Sequence, residues 1–156
     1  MFTQTTASGD EKNFLFTGDL EAEGESELLK RNSLPVVDLY KAGHHGSRTS
    51  SSKAFIDTIQ PKTVCVCCCA GSSEYTTTAE NQFPTQEFIT NVGVWTDEIY
   101  VTTLCVDYKN NQFTSFNGNI VYMSTDSGYN VNCSNNNTKL KDSDWFAQSG
   151  RIWPTS

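Results

Sequence analysis

Two apolar runs that each stop at glycine and a metal-competent side chain limit what this chain can become. The first is Phe14-Leu-Phe-Thr-Gly-Asp19, and the second leads into Lys41-Ala-Gly-His44-His45-Gly46-Ser47. A short run rich in apolar and β-branched residues that ends at Gly reads as a strand closing in a tight turn. Between the two lies a helix-like segment, Leu20 to Arg31, so the stretch predicts strand–helix–strand. Folds of that kind gather chemistry at one rim, outside the carboxyl ends of their strands. Asp19 and His44 are 25 positions apart, and the chain's 2 histidines stand side by side.

The flanking sequence fits one α/β layer. Residues 1–18 predict a hairpin with its turn at Ser8 to Lys12. The helix from Leu20 carries Glu21, Glu23 and Glu25 early and Lys30 and Arg31 late, the order its dipole favours. These acids read as a solvated face, with Leu20, Leu28 and Leu29 as the apolar stripe. Val36 to Tyr40 predicts a strand, Lys53 to Ile59 a helix and Thr63 to Ala70 a strand. A long polar loop (71–82), a helix from Thr85 to Asn91 and a short strand from Val94 to Thr96 come next. Residues 98–134 predict an antiparallel meander that extends the sheet, with Asn117-Gly118 as a hairpin turn. Leu140 to Gln148 closes the chain as a helix whose Trp145 and Phe146 pack back. The expected class is α/β, a mixed sheet with helices on one face, in a single domain spanning 1–156.

At 156 residues and 37% hydrophobic content, a real core is within reach. A net charge of −7 means that the overall field does not draw in nucleic acid. No apolar run reaches transmembrane length. Cys65-Val-Cys67-Cys68-Cys69 contains C-x-x-C, a spacing shared by zinc and redox sites. The cluster sits inside a continuous small-apolar run without a second ligand pair. It therefore reads as a strand buried on both faces, where free Cys serves as a small hydrophobe. Neighbouring thiols favour a reducing compartment such as the cytoplasm.

Thr17-Gly-Asp19, a Glu-rich helix and then Gly43-His-His-Gly-Ser47 with Ser50 to Ser52 behind it resemble the metallo-β-lactamase fold. Within that fold the stretch resembles the hydrolase domain of ComEC-type DNA-uptake proteins and their free-standing relatives, and the likeness runs from about Phe14 to Asp97. The resemblance implies the C-terminal half of an αββα sandwich. It implies a metal-dependent hydrolase acting on phosphodiester or similar ester bonds, with one or two zinc ions in the intact domain, or manganese. Such metals make hydroxide from water and polarise the scissile group. By resemblance, Asp19 bridges the metals and His44 or His45 completes the second, with Asp19 and His44 as the catalytic pair. His45, Ser47, Arg48 and Asn81 are the implied substrate contacts. Read alone, Asp19 is better explained as the N-cap of the helix that follows it.

The family's H-x-H-x-D-H motif, which supplies most ligands from an upstream loop, is absent. The chain therefore looks like the C-terminal portion of the domain and is expected to be inactive alone. Export of a longer parent stays open on that reading. The expected partners are the missing N-terminal half of the domain or a second copy of the chain, with nucleic acid or a phosphoester as the parent's substrate. The bared inner face of the sheet is expected to drive dimerisation. A non-catalytic binding or scaffold domain that self-associates is the alternative.

Overall fold

The computed structural model describes residues 1–155. Six strands form one sheet in which spatial order equals chain order: β1 (Phe2–Thr5), β2 (Glu11–Phe16), β3 (Leu39–Lys41), β4 (Thr63–Ala70), β5 (Ile99–Asp107) and β6 (Gln112–Ser115). β2 to β5 are parallel, while β1 and β6 add antiparallel edges, so the sheet is mixed. Parallel neighbours need crossovers. Helices α1 (Ala22–Arg31), α2 (Lys53–Ile59) and α3 (Gln86–Gly93) supply them. The expected α/β class, a mixed sheet with helices, is what forms.

Register separates the two faces. Leu15, Tyr40, Val64 and Ile99 are aligned across β2 to β5, as are their neighbours Phe16, Lys41, Cys65 and Tyr100. Successive side chains alternate faces. The first row, with Val66 and Val101, packs against Phe55, Ile56 and Ile59 of α2 and Phe88, Ile89 and Val92 of α3, all fully buried. Leu28 and Leu29 of α1 join this core from the side, as do Trp145 and Phe146 of α4 (Asp144–Gln148). The helices therefore share one face.

The second face departs from the expected meander. β7 (Ile120–Thr125) and β8 (Gly128–Cys133) pair only with each other and form a separate two-stranded sheet. Burial along β7 alternates, with Ile120 and Tyr122 half-buried and Val121 and Met123 exposed. The half-buried side lies over the second face, where the Tyr122 ring meets Phe14 edge-on at 5.8 Å. The bared face expected from the sequence is thus partly covered by the chain's own hairpin. Asn117-Gly118 is not a hairpin turn. The buried Asn117 side chain donates to Val101 O and Thr138 O, so this dipeptide is the junction where the chain leaves the sheet.

Other expectations change as well. Val94 stays in the right-handed helical region at the end of α3, so Val94 to Thr96 forms no strand. In β4, Val64, Val66 and Ala70 are buried, Cys65, Cys68 and Cys69 are half-buried, and Cys67 is exposed. Only one face of this strand is fully covered, because the β7–β8 hairpin does not reach its end. No helix of the described residues is long and apolar enough to cross a membrane.

Candidate functional site

The rim at the carboxyl ends of β2, β3 and β4 carries a cleft of about 520 Å³. It is lined by Asp19, His44, His45, Ser47, Arg48 and Asn81, the six residues singled out from the sequence, together with Glu21, Thr49, Tyr75, Thr76 and Phe83. Asp19 follows Gly18, whose positive φ of 59° turns the chain sharply out of β2. Helix α1 begins at Ala22 with Glu21 at its N-cap, so Asp19 does not cap it. Its carboxylate is exposed in the cleft.

The two histidines occupy a 3₁₀ turn, Gly43–Gly46, in which both have left-handed backbone angles (φ 42° and 59°). Residues with a Cβ rarely enter that region, and two in succession require surroundings that over-determine them. Those surroundings are hydrogen bonds. His44 N–H donates to Gly18 O at 2.9 Å, which ties the two strand-end loops together. Gly43 N–H donates to the Tyr40 hydroxyl (2.9 Å), and Ser50 Oγ donates to Gly43 O (2.8 Å). Thr85 N–H donates to Gly46 O at 2.9 Å. At Gly46 (φ +77°) an added Cβ would stand 3.0 Å from Pro84 Cβ, so both conformation and space require glycine.

Beneath the turn lies Glu25, which the sequence pattern placed on a solvated face. It is fully buried, and its two carboxylate oxygens accept from Ser51 N–H (2.6 Å) and Ser52 N–H (2.8 Å) just ahead of α2. Ser51 has a φ of 54°, and its hydroxyl is 3.0 Å from that of Tyr40. Glu21 is exposed, as the pattern indicated, but its Oε1 lies 3.2 Å from His44 Nδ1 and accepts from Thr49 Oγ1 at 2.8 Å. Spacing held the signal for both. Glu25 precedes Leu28 and Leu29 by three and four positions, on their stripe, and Glu21 lies one turn earlier.

Strand geometry orients His45. β3 ends at Lys41, paired with Cys65, and Ala42 N–H takes Cys65 O. The next β4 carbonyl pointing that way, Cys67 O, has no strand to bond. His45 Nδ1 takes it at 2.7 Å. A carbonyl only accepts, so Nδ1 carries a proton, and in the neutral ring Nε2 is then the nitrogen with the lone pair. That Nε2 stands 3.9 Å from Asp19 Oδ1. The sequence had favoured His44 as the partner of Asp19; His45 is the residue brought beside it, and His44 turns to Glu21.

Two donors each about 2.0–2.2 Å from a zinc ion stand roughly 3–4 Å apart, so the Asp19–His45 spacing suits one shared ion. A catalytic zinc normally has three protein ligands. Among the described residues no group of three or more His, Cys, Asp or Glu is placed to hold a metal. The pair by itself forms no complete metal site. Ser47 is mostly buried, with its hydroxyl accepting from Thr49 N–H at 3.2 Å. Arg48 is exposed, and Asn81 ends a 3₁₀ turn, Ala79–Asn81, on the opposite wall.

That wall is braced by a residue the sequence reading passed over. Arg151, mostly buried near the end of the chain, donates to Ala79 O (2.6 Å), Gln82 O (2.8 Å) and Pro84 O (3.1 Å) and lies on the Trp145 ring. Nothing in its local pattern marks it, because its partners are backbone carbonyls far away in sequence.

A mixed α/β fold with an acid–histidine cleft at a strand-end rim is the class of arrangement that these observations define. Over 56 residues the chain is 45% identical to the ComE operon protein 3 of Bacillus subtilis (strain 168). That match covers 35% of this chain and 7% of the longer protein, so the chain spans only a small part of it. No family model matches the chain. No solved structure matches it significantly.

Proposed function

We propose that this chain carries part of the active site of a competence-related, metal-dependent hydrolase of the metallo-β-lactamase fold, acting on a phosphodiester or similar ester. The observation that carries the reading is the Asp19–His45 pair. Its imidazole is locked by Cys67 O with Nε2 turned to the carboxylate, at a spacing suited to one shared ion. The partial likeness to a ComE operon product supports the same reading. The remaining ligands would come from the other half of such a domain or from a second copy. The chain's own part would be to hold Asp19 and His45 in a fixed relation and to offer Arg48 and Asn81 to a substrate.

Zinc titration of the purified chain by calorimetry, after stripping with a chelator, tests this. Expected are weak binding in wild type and a loss in Asp19→Ala and His45→Ala exceeding the roughly 10–100-fold typical of removing an outer-shell partner. The expected loss in His44→Ala is smaller. A phosphodiester substrate should stay intact with the chain alone. Equal zinc affinity in all four proteins would sink the proposal.

The alternative, a non-catalytic domain that self-associates, has its own support in the open edge strand β1 beside Phe2 and Phe16, which are 61% and 59% exposed. Light scattering that shows a dimer, together with metal-independent behaviour of every variant, would favour it.

A further inference from the structure

We propose that Cys69 and Cys105 form a redox-active dithiol. A low-molecular-weight disulfide converts it to an intramolecular disulfide that pins the root of the loop forming the cleft's opposite wall. The inference does not depend on the metal reading. β4 and β5 run parallel, and Cys69 stands opposite Thr103. Cys105 is two positions further along β5 and therefore on the same face. The two thiols interact directly, side chain to side chain. Both are half-buried and free. A β-bulge adjoins each partner: the β4–β5 register shifts between Val66 and Cys69, and the β5–β6 register between Cys105 and Asp107. Bulges bend and twist a strand locally. A disulfide needs its Cβ atoms about 3.5–4.5 Å apart, and the two bulges give the strands the slack to reach that geometry.

The pair borders a shallow groove of about 460 Å³ whose lining includes Cys67, Cys69 and Phe113, the register partner of Cys105. A small disulfide can approach there. Only a thiolate attacks. Burial, followed by the neighbouring Cys105, pushes the Cys69 thiol up to about 12, so Cys105 opens the exchange. Its sulfur attacks one sulfur of the oxidant, the oxidant's S–S bond breaks, and the departing thiolate takes up the Cys105 proton. Cys69 then attacks the Cys105 sulfur of the mixed disulfide, and the second departing thiolate takes up the Cys69 proton. Two protein thiols are thereby oxidised to one disulfide, and one small disulfide is reduced to two thiols. Gly71, two residues after Cys69, donates its N–H to Phe83 O at 2.9 Å. The loop that carries Tyr75 and Asn81 starts there, so a bond at Cys69 fixes its root to β5.

The test is oxidation of the purified full chain in glutathione buffers at low protein concentration, followed by alkylation and peptide mapping. A Cys69–Cys105 bridge is expected as the first product, with two of the 6 thiols lost. The effective concentration of the pair should exceed by at least about tenfold the roughly millimolar value of a flexible chain, which the same protein in urea supplies. Cys69→Ser should trap Cys105 as its mixed disulfide with glutathione, and Cys105→Ser should leave Cys69 reduced. In wild type, amide exchange at Gly71 should slow on oxidation and recover on reduction. A first bridge between another pair or between two copies would overturn the proposal. So would a mixed disulfide at exposed Cys67 with no bridge, equal closure in native and urea-unfolded protein, or unchanged exchange at Gly71. Asp19→Ala with His45→Ala is expected to leave the bridge in place. Failure of the metal reading and failure of the dithiol reading therefore show up separately.

Discussion

The histidine turn and the β7–β8 hairpin are both short and both lie against the same sheet, but opposite means hold them. At the turn, consecutive residues sit in unfavourable backbone angles, and hydrogen bonds from four directions keep them there: Gly18, Tyr40, Thr85 and, through Ser51 and Ser52, Glu25. The hairpin has regular backbone and its own ladder. Half-buried side chains join it to the sheet, with Tyr122 against Phe14 and one exposed bond from Ala7 N–H to Asp126. Where a loop must present side chains in a fixed relation, this chain spends buried polar groups; where a surface only needs cover, it uses loose apolar contact. Such polar networks are costly to leave half-satisfied, whereas apolar cover degrades gradually.

The difference can be pressed hardest at Glu25. Glu25→Ala leaves the buried Ser51 amide and the half-buried Ser52 amide without acceptors and should cost about 3 kcal/mol. It should also free the histidine turn, visible as a lowered denaturation midpoint and as loss of the His45 Nδ1 proton signal. A loss below about 1 kcal/mol would mean that the carboxylate is incidental to the turn.

Tyr122→Ala probes the other side of the comparison. It removes the edge contact with Phe14 and the stack on Tyr129, whose ring centroid is 5.2 Å away. Aromatic pairs contribute about 0.5–1.5 kcal/mol each, so a loss of about 1–3 kcal/mol is expected from the two. The imidazole signals of His44 and His45 should stay in place. If they move, the two regions are coupled through the sheet and the contrast drawn above fails.

The smallest effect concerns alkali. Burial, reinforced by neighbouring Cys67 and Cys133, pushes the Cys65 thiol up to about 12. An unfolded thiol titrates near 8.5. The folded value is the higher one, so the contribution is fully present below about pH 8.5 and is lost as pH rises toward 12. Denaturant midpoints should fall more between pH 7 and pH 10 in wild type than in Cys65→Val. Parallel curves would show that water already reaches beneath the hairpin.

Most of the strand and helix order was legible because each element has a clean period and a glycine, proline or polar break at its end. Asp19 and the histidines were legible because they stand at those breaks. Glu25 was misjudged through its neighbours: three acids at the start of a helix suggest solvent and a dipole. Only its spacing from Leu28 and Leu29 places it inward. The choice between His44 and His45 was out of reach, since it depends on where β3 stops relative to β4 and hence on which carbonyl is left unpaired. The site of Arg151 could not be read at all, because its partners are main-chain oxygens that no residue type announces. Asn117-Gly118 misled for a related reason: a side chain suited to a local turn was taken up by two distant carbonyls instead.

The agreement of spatial and chain order in the sheet bears on how the molecule assembles. Each strand from β1 to β6 finds its neighbour as the next strand made, so the sheet can extend in the direction of synthesis without waiting for a remote segment. Asp19 and the histidine turn can be set once β4 and the segment through Thr85 have docked. The opposite wall of the cleft follows a different clock. Its carbonyls are gathered by Arg151, 72 residues after Ala79, so the loop bearing Tyr75 and Asn81 gains its brace only when the end of the chain folds home.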